Sequence, residues 1–329
     1  MCETQLYFAP MEGITGSIYR STHHRIFGGV DKYYAPFIFT NPKGKISKKD
    51  LWEIAPEYNE GCKVVPQLLS NCAEDFIVTA HTLQSMGYDE VNLNLGCPSN
   101  TVSSKGRGSG FLGDKEALER FLTQIFDQTD MQISLKTRIG LNDPEEFDAI
   151  LDIYKDFPVK MLIVHPRIRT AYYSGIPDLT AFEKAREQMP FPVCYNGDIF
   201  TANDYVQMQK RFPDITHWMM GRGLLSDPAL CREIRGGAFA SREEVAAFYH
   251  GIRDAYEVRL QGNRKVVFLM KEFWHYISWI LSEEDRQQID VLMHLKDGSD
   301  FFRLAEELAA NCTIIRGQGF HSETEVHVF

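Results

Sequence analysis

The sequence lacks any apolar run long enough to cross a membrane. Its longest apolar stretches, residues 266–270 and 276–281, are bounded or interrupted by Lys271, Glu272 and Ser278, whereas a spanning helix needs about 20 apolar residues in succession. The first residues do not show a basic segment followed by an apolar one, which is the pattern of a secretory signal. We therefore expect a cytoplasmic protein without a membrane segment.

The chain also lacks paired cysteines and glycine-rich nucleotide motifs. Its seven cysteines are never closer than ten residues apart, so the sequence contains neither a disulfide framework nor a Cys-x-x-Cys metal site, and we predict no bound metal. The stretch Gly106 to Gly110 is followed by Phe111, where a Gly-x-Gly-x-x-Gly motif needs its third glycine, and no Gly-x-x-x-x-Gly-Lys-Ser/Thr occurs. These absences argue against a Rossmann dinucleotide site and a P-loop.

An excess of positive charge is missing as well. The 329 residues carry a formal net charge of −10 at pH 7, which argues against a generally basic nucleic-acid-binding protein but leaves room for a local basic face. Hydrophobic residues make up 44% of the chain and charged residues 24%. This composition is typical of a globular protein with a sizeable core.

What the sequence does contain is a repeated β/α pattern. Eight short apolar runs recur mostly about thirty residues apart, with stretches of helical periodicity between most of them. The spacer from Glu116 to Phe126 follows Asp114, and the spacer from Pro144 to Tyr154 follows Asp143, as expected for capped helices. Eight such units most economically close as a (β/α)8 TIM barrel with its chemistry at the carboxyl ends of the strands, and a doubly wound open sheet is the alternative. The predicted strands are Gln5 to Pro10, Lys32 to Phe37, Lys63 to Leu69, Val91 to Gly96, Gln132 to Arg138, Met161 to His165, Pro192 to Gly197 and His217 to Gly223.

The barrel is predicted to end near residue 237 and to be followed by a smaller all-helical C-terminal domain. Ser241 and Glu244 have the spacing of a capping box that begins a run of helices. We assign residues 1–237 to the barrel and 238–313 to the helical domain. Residues 314–329 show no periodicity, and we interpret them as a C-terminal tail.

Polar residues stand at the carboxyl ends of the predicted strands, and in a barrel these ends converge on one mouth. Lys136 lies within an apolar run, where an ion is costly without a partner, and it suits the electron-rich N1/C2=O side of a reduced flavin. Gln67 offers a donor and an acceptor to the same ring. The turns at Gly197 and Gly221 are where such barrels commonly hold a phosphate, and Arg222 would add positive charge.

Five segments at these strand ends occur together in one order. They are Ala9 to Thr15, Asn92 to Ser99, Leu135 to Gly140, Asn196 to Ile199 and Met220 to Gly223. Together they resemble the tRNA-dihydrouridine synthases over the chain from about residue 8 to 229. One departure is visible after the sixth strand, where the family usually has His-Gly-Arg-Thr and this chain reads His165-Pro-Arg-Ile-Arg-Thr170.

The resemblance implies FMN in the barrel mouth, NADPH as electron donor, and reduction of the C5=C6 bond of specific uridines in tRNA to 5,6-dihydrouridine. The reaction adds a hydride at C6 and a proton at C5. Cys97 is the candidate acid, since a thiol with a pKa near about 8.5 is mostly protonated at neutral pH. The cofactor-binding candidates are Pro10, Met11, Glu12, Gln67, Lys136, His165, Asn196, Gly197, Asp198, Gly221 and Arg222.

Four further residues are candidates for contact with the substrate. Asn94 would bind the uracil edge or the flavin, unless it caps the turn before Pro98. Arg138 would orient uracil carbonyls or a tRNA phosphate, and an ion pair at the top of the barrel is the alternative. Lys105 and Arg107 belong to a glycine-bearing loop, predicted to be mobile, that suits covering a flipped uridine.

The sequence also predicts a cationic helix face. The helix from Arg264 to Leu281 is predicted to place Lys271 on a polar face opposite Phe268, and this face is a candidate for contact with tRNA phosphates, as are the lysines of residues 43–49.

Two rival functions remain open at this point. The nearest rival is an FMN barrel reductase of a free pyrimidine or small enone, similar to dihydroorotate dehydrogenases. The other is a tRNA-binding module without chemistry.

Overall fold

The computed structural model describes residues 3–260 and 262–320 of the chain, and the bounds of its strands and helices are as follows. The strands are β1 Gln5–Phe8, β2 Lys32–Tyr34, β3 Ile38–Phe39, β4 Val64–Val65, β5 Gln67–Leu69, β6 Glu90–Leu95, β7 Gln132–Arg138, β8 Leu162–His165, β9 Val193–Tyr195 and β10 His217–Met220. The helices are α1 Ser17–Ile26, α2 Lys48–Ile54, α3 Ala73–Ser85, α4 Asn100–Ser103, α5 Lys115–Gln128, α6 Glu146–Tyr154, α7 Leu179–Gln188, α8 Ala202–Arg211, α9 Arg222–Ser226, α10 Leu230–Ile234, α11 Arg242–Arg259, α12 Asn263–Ile277, α13 Glu283–His294 and α14 Gly298–Asn311. Short 3₁₀ helices lie at Pro56–Tyr58, Gly108–Gly113, Arg169–Ala171 and Ser278–Ile280.

The strands of the described residues close into a parallel barrel. They are ordered β3-β5-β6-β7-β8-β9-β10-β1-β2-β4. Both ends of this order belong to the same two interrupted strands, because β4 pairs with β2 and β5 pairs with β3. Only Pro66, which has no N–H to donate to a ladder, separates β4 from β5. When each interrupted strand is counted once, eight strands form a ring, and the predicted (β/α)8 barrel is confirmed.

The period of two along β6 and β7 explains why the barrel interior is polar near its mouth. Val91, Leu93 and Leu95 belong to the large apolar core between strands and helices, as do Ile133 and Leu135. The alternate positions on the same strands therefore face the barrel axis. They are Glu90, Asn92 and Asn94 on β6, and Ser134, Lys136 and Arg138 on β7, paired Asn92 with Ser134 and Asn94 with Lys136.

Helix α5 begins where the sequence predicts, whereas α6 does not. The Asp114 carboxylate accepts a hydrogen bond from the Ala117 N–H at 2.9 Å and caps α5. Helix α6 begins at Glu146 rather than at Pro144, because the Glu146 carboxylate accepts the N–H groups of residues 141–143 and holds them in a turn. Asp143 accepts the Glu145 N–H within that turn instead of capping the helix.

The helical region begins at the predicted capping box, but the charge distribution on α12 differs from the prediction. Ser241 and Glu244 cap α11 reciprocally. On α12, Phe268 is 65% exposed, and Lys271 donates to the backbone carbonyls of Met293 and Leu295 at 2.7 and 2.8 Å. Lys271 therefore ties α12 to the end of α13, which argues against its predicted contact with tRNA phosphate.

The predicted tail is partly ordered against the rest of the chain. Ile314 forms an antiparallel bridge with Leu281, and Phe320 is buried. The remainder of the predicted tail, residues 321–329, lies outside the described residues. No helix within the described ranges is both long and apolar enough to span a membrane.

Candidate active site

The strand register brings the predicted site residues to one rim of the barrel. Asn94 pairs with Lys136 across β6 and β7, and Arg138 pairs with His165 across β7 and β8. The Asn196 side-chain amide donates to the carbonyl of Met219 at 2.9 Å, which links the end of β9 to β10. The Ala9 N–H in turn donates to Met220 and links β10 to the segment that follows β1.

Asn94 holds the turn that carries Cys97. Its Oδ1 accepts the N–H of Gly96 at 3.0 Å and the N–H of Cys97 at 2.9 Å, while its Nδ2 donates to Gln67 Oε1 at 2.7 Å. Gln67 Nε2 donates in turn to Asn92 Oδ1 at 2.7 Å, and Gln67 is fully buried. The turn-capping alternative for Asn94 is thus the arrangement that the structure shows, and Gln67 supports it.

The environment of Cys97 keeps its thiol protonated at neutral pH. Burial raises the pKa of Cys97 above its ordinary value, and the Ser99 backbone and the charges of Arg138 and Lys136 offset this only in part. The Cys97 carbonyl accepts from the Ser109 N–H at 3.1 Å and from its hydroxyl at 2.7 Å. A protonated thiol on a fixed backbone is suited to donate a proton.

Lys136 is a cation without a carboxylate partner among the described residues. Burial, and then the neighbouring Arg138 charge, lowers the pKa of Lys136 to about 8. Its side chain is partly buried at the rim. An ammonium held in this way is available to an anionic or electron-rich ligand, as the sequence predicts.

Arg138 connects two loops rather than facing an open surface. Its Nε donates to the Gly96 carbonyl and its Nη1 to the Ile168 carbonyl, both at 2.9 Å. The side chain is only 1% exposed. The predicted contact with uracil or tRNA phosphate is therefore not what this arrangement favours, and Arg138 forms no ion pair with an acid in the described part of the chain either. Arg138 instead fixes the backbone next to Cys97.

His165 is a neutral imidazole. Burial first, and then the charges of Arg138 and Lys136, lowers the pKa of His165 well below its ordinary value. Its Nε2 lies 3.1 Å from Arg167 Nη1 and accepts from that guanidinium, because a guanidinium can only donate. The ring proton is then on Nδ1, where it can serve as a donor at the mouth.

Asp198 bridges two buried arginines. One carboxylate oxygen lies 3.0 Å from Arg222 Nη2 and 3.0 Å from Arg167 Nη1. The arginine side chains are only 2% and 5% exposed. Asp198, predicted to bind cofactor, therefore orients the two guanidinium groups. The turns of strands β9 and β10 meet here, since a Cβ added to Gly223 would lie 2.1 Å from the Ile199 carbonyl oxygen.

The segment after β1 lies beside the turn at Gly221. A Cβ on Gly221 would come within 3.2 Å of Met11 Sδ, so the backbone and the thioether are in close contact. The Met11 N–H and carbonyl bond to Thr15 within their own turn. Pro10 is partly buried and Glu12 is exposed. These positions border the mouth, and Met11 has the most direct contact with the β10 turn.

The loop that carries Lys105 and Arg107 is folded onto the site. It contains α4 and the 3₁₀ helix at Gly108–Gly113, and Gly108, with φ of +55°, lies against Cys97. Arg107 Nε donates to Asn71 Oδ1 at 3.1 Å, and its guanidinium lies 5.9 Å from the ring of Phe39, which is 52% exposed. Lys105 is exposed.

The balance of charge at the mouth fits an anionic cofactor. Lys136, Arg138, Arg167 and Arg222 are all cationic and buried or partly buried, and Asp198 is the acid that bridges two of them. Leaving this much positive charge buried is costly unless a ligand neutralises it. A phosphate with an electron-rich ring system, as in FMN, would do so. No cluster of potential metal ligands occurs among the described side chains.

The sequence-based list missed three aromatic residues around Arg222, which are Tyr173, Phe200 and Phe320. Tyr173 lies 4.7 Å from the guanidinium of Arg222 and 5.7 Å from that of Arg138. It belongs to the loop after β8 in which the sequence departs from the family, and that departure was the available signal. Phe320 also stacks on Arg222, and its position in an aperiodic tail gave no signal.

Comparison with known proteins places the chain beside tRNA-modifying reductases. The sequence profile described as Dihydrouridine synthase (Dus) matches residues 7–311. The tRNA-dihydrouridine(16) synthase of Neisseria meningitidis serogroup A is 26% identical over 316 residues, 92% of this chain and 94% of that protein. The tRNA-dihydrouridine synthase B of Pasteurella multocida is 25% identical over 234 residues, 70% of this chain and 68% of that protein. Among solved structures, morphinone reductase is similar in fold, with a TM-score of 0.52 and 12% identity over 74% of this chain and 88% of that one.

Proposed function

The chain belongs to the dihydrouridine synthase family and is a flavin-dependent reductase of uridine in tRNA, and from this premise we propose how its residues carry out the reaction. The flavin is FMN, and NADPH is the electron donor. A hydride is added to C6 of the uracil and Cys97 adds the proton to C5. The observation that carries this proposal is that Cys97 and Lys136 lie at one rim of the barrel: Asn94, which pairs with Lys136 across β6 and β7, accepts the Cys97 N–H at 2.9 Å.

The phosphate of FMN would be bound by Arg222, by the backbone of the turns at Gly197 and Gly221, and by the His165 Nδ1–H. Arg222 is buried and held by Asp198, so its guanidinium is already oriented before a ligand arrives. Lys136 would contact the N1/C2=O edge of the ring, where it favours negative charge. Reduced FMN, when bound, supplies the hydride.

Cys97 completes the reduction as the acid. Its S–H bond breaks as the C5–H bond of the uracil forms, and the resulting thiolate recovers its proton from solvent. Asn94 and Arg138 act as positioning residues, since one holds the Cys97 N–H and the other the preceding carbonyl of Gly96. The charges of Lys136 and Arg138, which favour the thiolate, stabilise the sulfur after the transfer.

The exposed edge of the mouth is where we place tRNA. Lys105 and Arg107 would contact phosphates, and the exposed ring of Phe39 beside Arg107 offers a surface on which a base can stack. The target uridine has to leave its stack to reach Cys97. Neither cation forms an ion pair with an acid within the described residues, which leaves both available for this role.

The test is a comparison of substrates and of two cysteine variants. Purified protein with FMN and NADPH is given unmodified tRNA, free uridine, or dihydroorotate with an electron acceptor, and dihydrouridine is measured by mass spectrometry of digested tRNA. We expect turnover with tRNA and not with free uridine or dihydroorotate. Preference for the small molecules would establish the rival FMN barrel reductase, and binding of tRNA without turnover would establish the non-catalytic module.

Cys97→Ala should retain flavin binding and reduction by NADPH but lose at least about 100-fold in the rate of dihydrouridine formation. Cys62→Ala is the matched control, because Cys62 is also partly buried but lies before β4, at the opposite end of the barrel. Full activity in Cys97→Ala would refute the assignment of Cys97 as the acid.

A further inference from the structure

The last described residues form a strap from the helical region to the barrel mouth. We define this C-terminal strap as residues 313–320. It is fixed at its start, where the Thr313 carbonyl accepts from the Ser282 N–H at 2.9 Å and the Ile315 N–H donates to the Ile280 carbonyl at 2.8 Å. The Thr313 N–H also donates to an Asp285 carboxylate oxygen at 2.8 Å. The strap is therefore held by backbone hydrogen bonds and does not simply trail away.

The strap ends with Phe320 inserted between the two parts of the chain. Phe320 is 1% exposed. Its ring centroid lies 5.1 Å from that of Trp279 in the helical region and 5.3 Å from that of Phe200 on the barrel. The preceding Gly319 is in close contact as well, since a Cβ there would lie 2.4 Å from the Phe200 carbonyl oxygen. The strap is thus fixed by hydrogen bonds at its start and by packing at its end.

Phe320 forms one wall of a box of aromatic rings around Arg222. The guanidinium carbon lies 4.9 Å from the ring centroid of Phe320, 4.7 Å from that of Tyr173 and 5.4 Å from that of Phe200. Asp198 accepts from the same guanidinium at 3.0 Å. Rings at these distances attract a cation and restrict where it can point. Of these neighbours, Phe320 is the one supplied by the C-terminal strap.

We propose that Phe320 is a positioning residue for the cofactor phosphate, acting by holding Arg222 in its binding orientation. The inference rests on the proposed function, in which Arg222 binds the phosphate of FMN. It adds that the C-terminal strap completes the anion end of the barrel site, so that cofactor affinity depends on the seating of a residue from outside the barrel. A cation that is oriented in advance loses less conformational freedom when the anion binds.

The test compares two flavins that differ in the phosphate. FMN and riboflavin share the ring system, so the ratio of their affinities isolates the contribution of the phosphate end. Dissociation constants are measured by flavin fluorescence with flavin-stripped full-length protein. Phe320→Leu keeps an apolar side chain but removes the aromatic face, and Phe320→Tyr keeps the face. We expect Phe320→Leu to weaken FMN binding by about 5- to 30-fold and to change riboflavin binding by less than about twofold. Phe320→Tyr should restore the ratio of the two affinities to that of the unaltered protein.

The control is Phe239→Leu. Phe239 is an aromatic residue that also contacts an arginine, since the guanidinium of Arg316 in the same strap lies 5.5 Å from its ring, but it is 41% exposed. This variant should leave both affinities unchanged. Thermal unfolding of all variants separates a loss of folding, which lowers both affinities, from the selective loss that a positioning role predicts.

Four outcomes would overturn the inference. Parallel loss of FMN and riboflavin binding in Phe320→Leu would make Phe320 purely structural, and unchanged binding would make it irrelevant to the site. Tighter FMN binding would mean that the ring shields Arg222 from the phosphate. If the unaltered protein binds FMN no better than riboflavin, the assignment of Arg222 in the proposed function fails as well. If the unaltered protein prefers FMN and Phe320→Leu keeps that preference, only the inference about Phe320 fails.

Discussion

Replacing Lys136 with methionine should make the flavin-free protein more stable and the enzyme inactive. Burial lowers the pKa of Lys136 from 10.5 to about 8, because the folded protein disfavours the ammonium. That fall corresponds to at most about 3.4 kcal/mol of unfavourable free energy at neutral pH. Since the side chain is only partly buried and water at the rim screens it, we expect Lys136→Met to raise the free energy of unfolding by about 1–3 kcal/mol.

The stability that Lys136→Met gains over the unaltered protein should depend on pH in a defined direction. Below about pH 8, Lys136 is charged in both the folded and the unfolded chain, and its full cost is present. Between about pH 8 and 10.5 the folded chain carries a neutral amine while the unfolded chain still binds the proton, so the stability of the unaltered protein rises relative to Lys136→Met. Above pH 10.5 the charge is absent from both states, and the electrostatic difference disappears.

Urea unfolding of flavin-free protein at several pH values measures this difference, and flavin titration measures the cost to function. Lys136→Met should bind FMN at least about tenfold more weakly, because the cation at the ring edge is gone. Lys160→Met is the control, since Lys160 is exposed and immediately precedes the β8 region. A variant that is less stable than the unaltered protein at pH 7 would show that an internal partner stabilises Lys136, and our account of its environment would be refuted.

Three further predictions test the surrounding residues. Asp198→Asn should lower the free energy of unfolding by about 3–5 kcal/mol, measured by urea denaturation, because it leaves two buried arginines without their shared acid; a loss below about 1 kcal/mol would contradict that role. In flavin-loaded enzyme, uridine reduction should fall at alkaline pH, since the thiol form donates, and the fall should come at a higher pH than for an ordinary thiol because burial raises the pKa of Cys97; Cys97→Ala should lack this fall. Arg107→Ala should raise KM for tRNA and reduce the salt slope of tRNA binding by about one without changing FMN affinity, and an unchanged slope would remove Arg107 from the RNA surface.

The sequence alone was sufficient to predict the barrel fold and the rim at which the reaction is placed. Apolar runs recurring with helical spacers predict parallel strands, and the carboxyl ends of such strands lie at one edge of the sheet. Cys97 and Lys136 could therefore be assigned to a common mouth although they are 39 positions apart in the chain. The interruption of two strands was not predicted, although Pro36 in one break and Pro66 in the other are visible in the sequence.

The tertiary structure decided how each polar side chain is used. Asn94 and Arg138 were expected to contact substrate, yet the Asn94 side-chain oxygen accepts the Cys97 N–H and Arg138 Nε donates to the neighbouring Gly96 carbonyl. Asp198 orients arginines, and Lys271 bonds to backbone carbonyls in the helical region. Residue type fixes how many hydrogen bonds a side chain can make, but the partner is the nearest group after folding, and that group can be distant in the chain.

The clearest case is Phe320, which the sequence placed in a featureless tail and the structure places against Arg222. Periodicity in a sequence reports which side of a helix or strand is buried, because it arises from the geometry of the local backbone. An isolated aromatic residue in an irregular segment has no such period, and its burial depends on surfaces formed by residues about 40 to 120 positions away. The order of the barrel strands was therefore determined by the sequence pattern, whereas the packing of the C-terminal strap on the mouth depends on contacts that exist only once the barrel and the helices have come together.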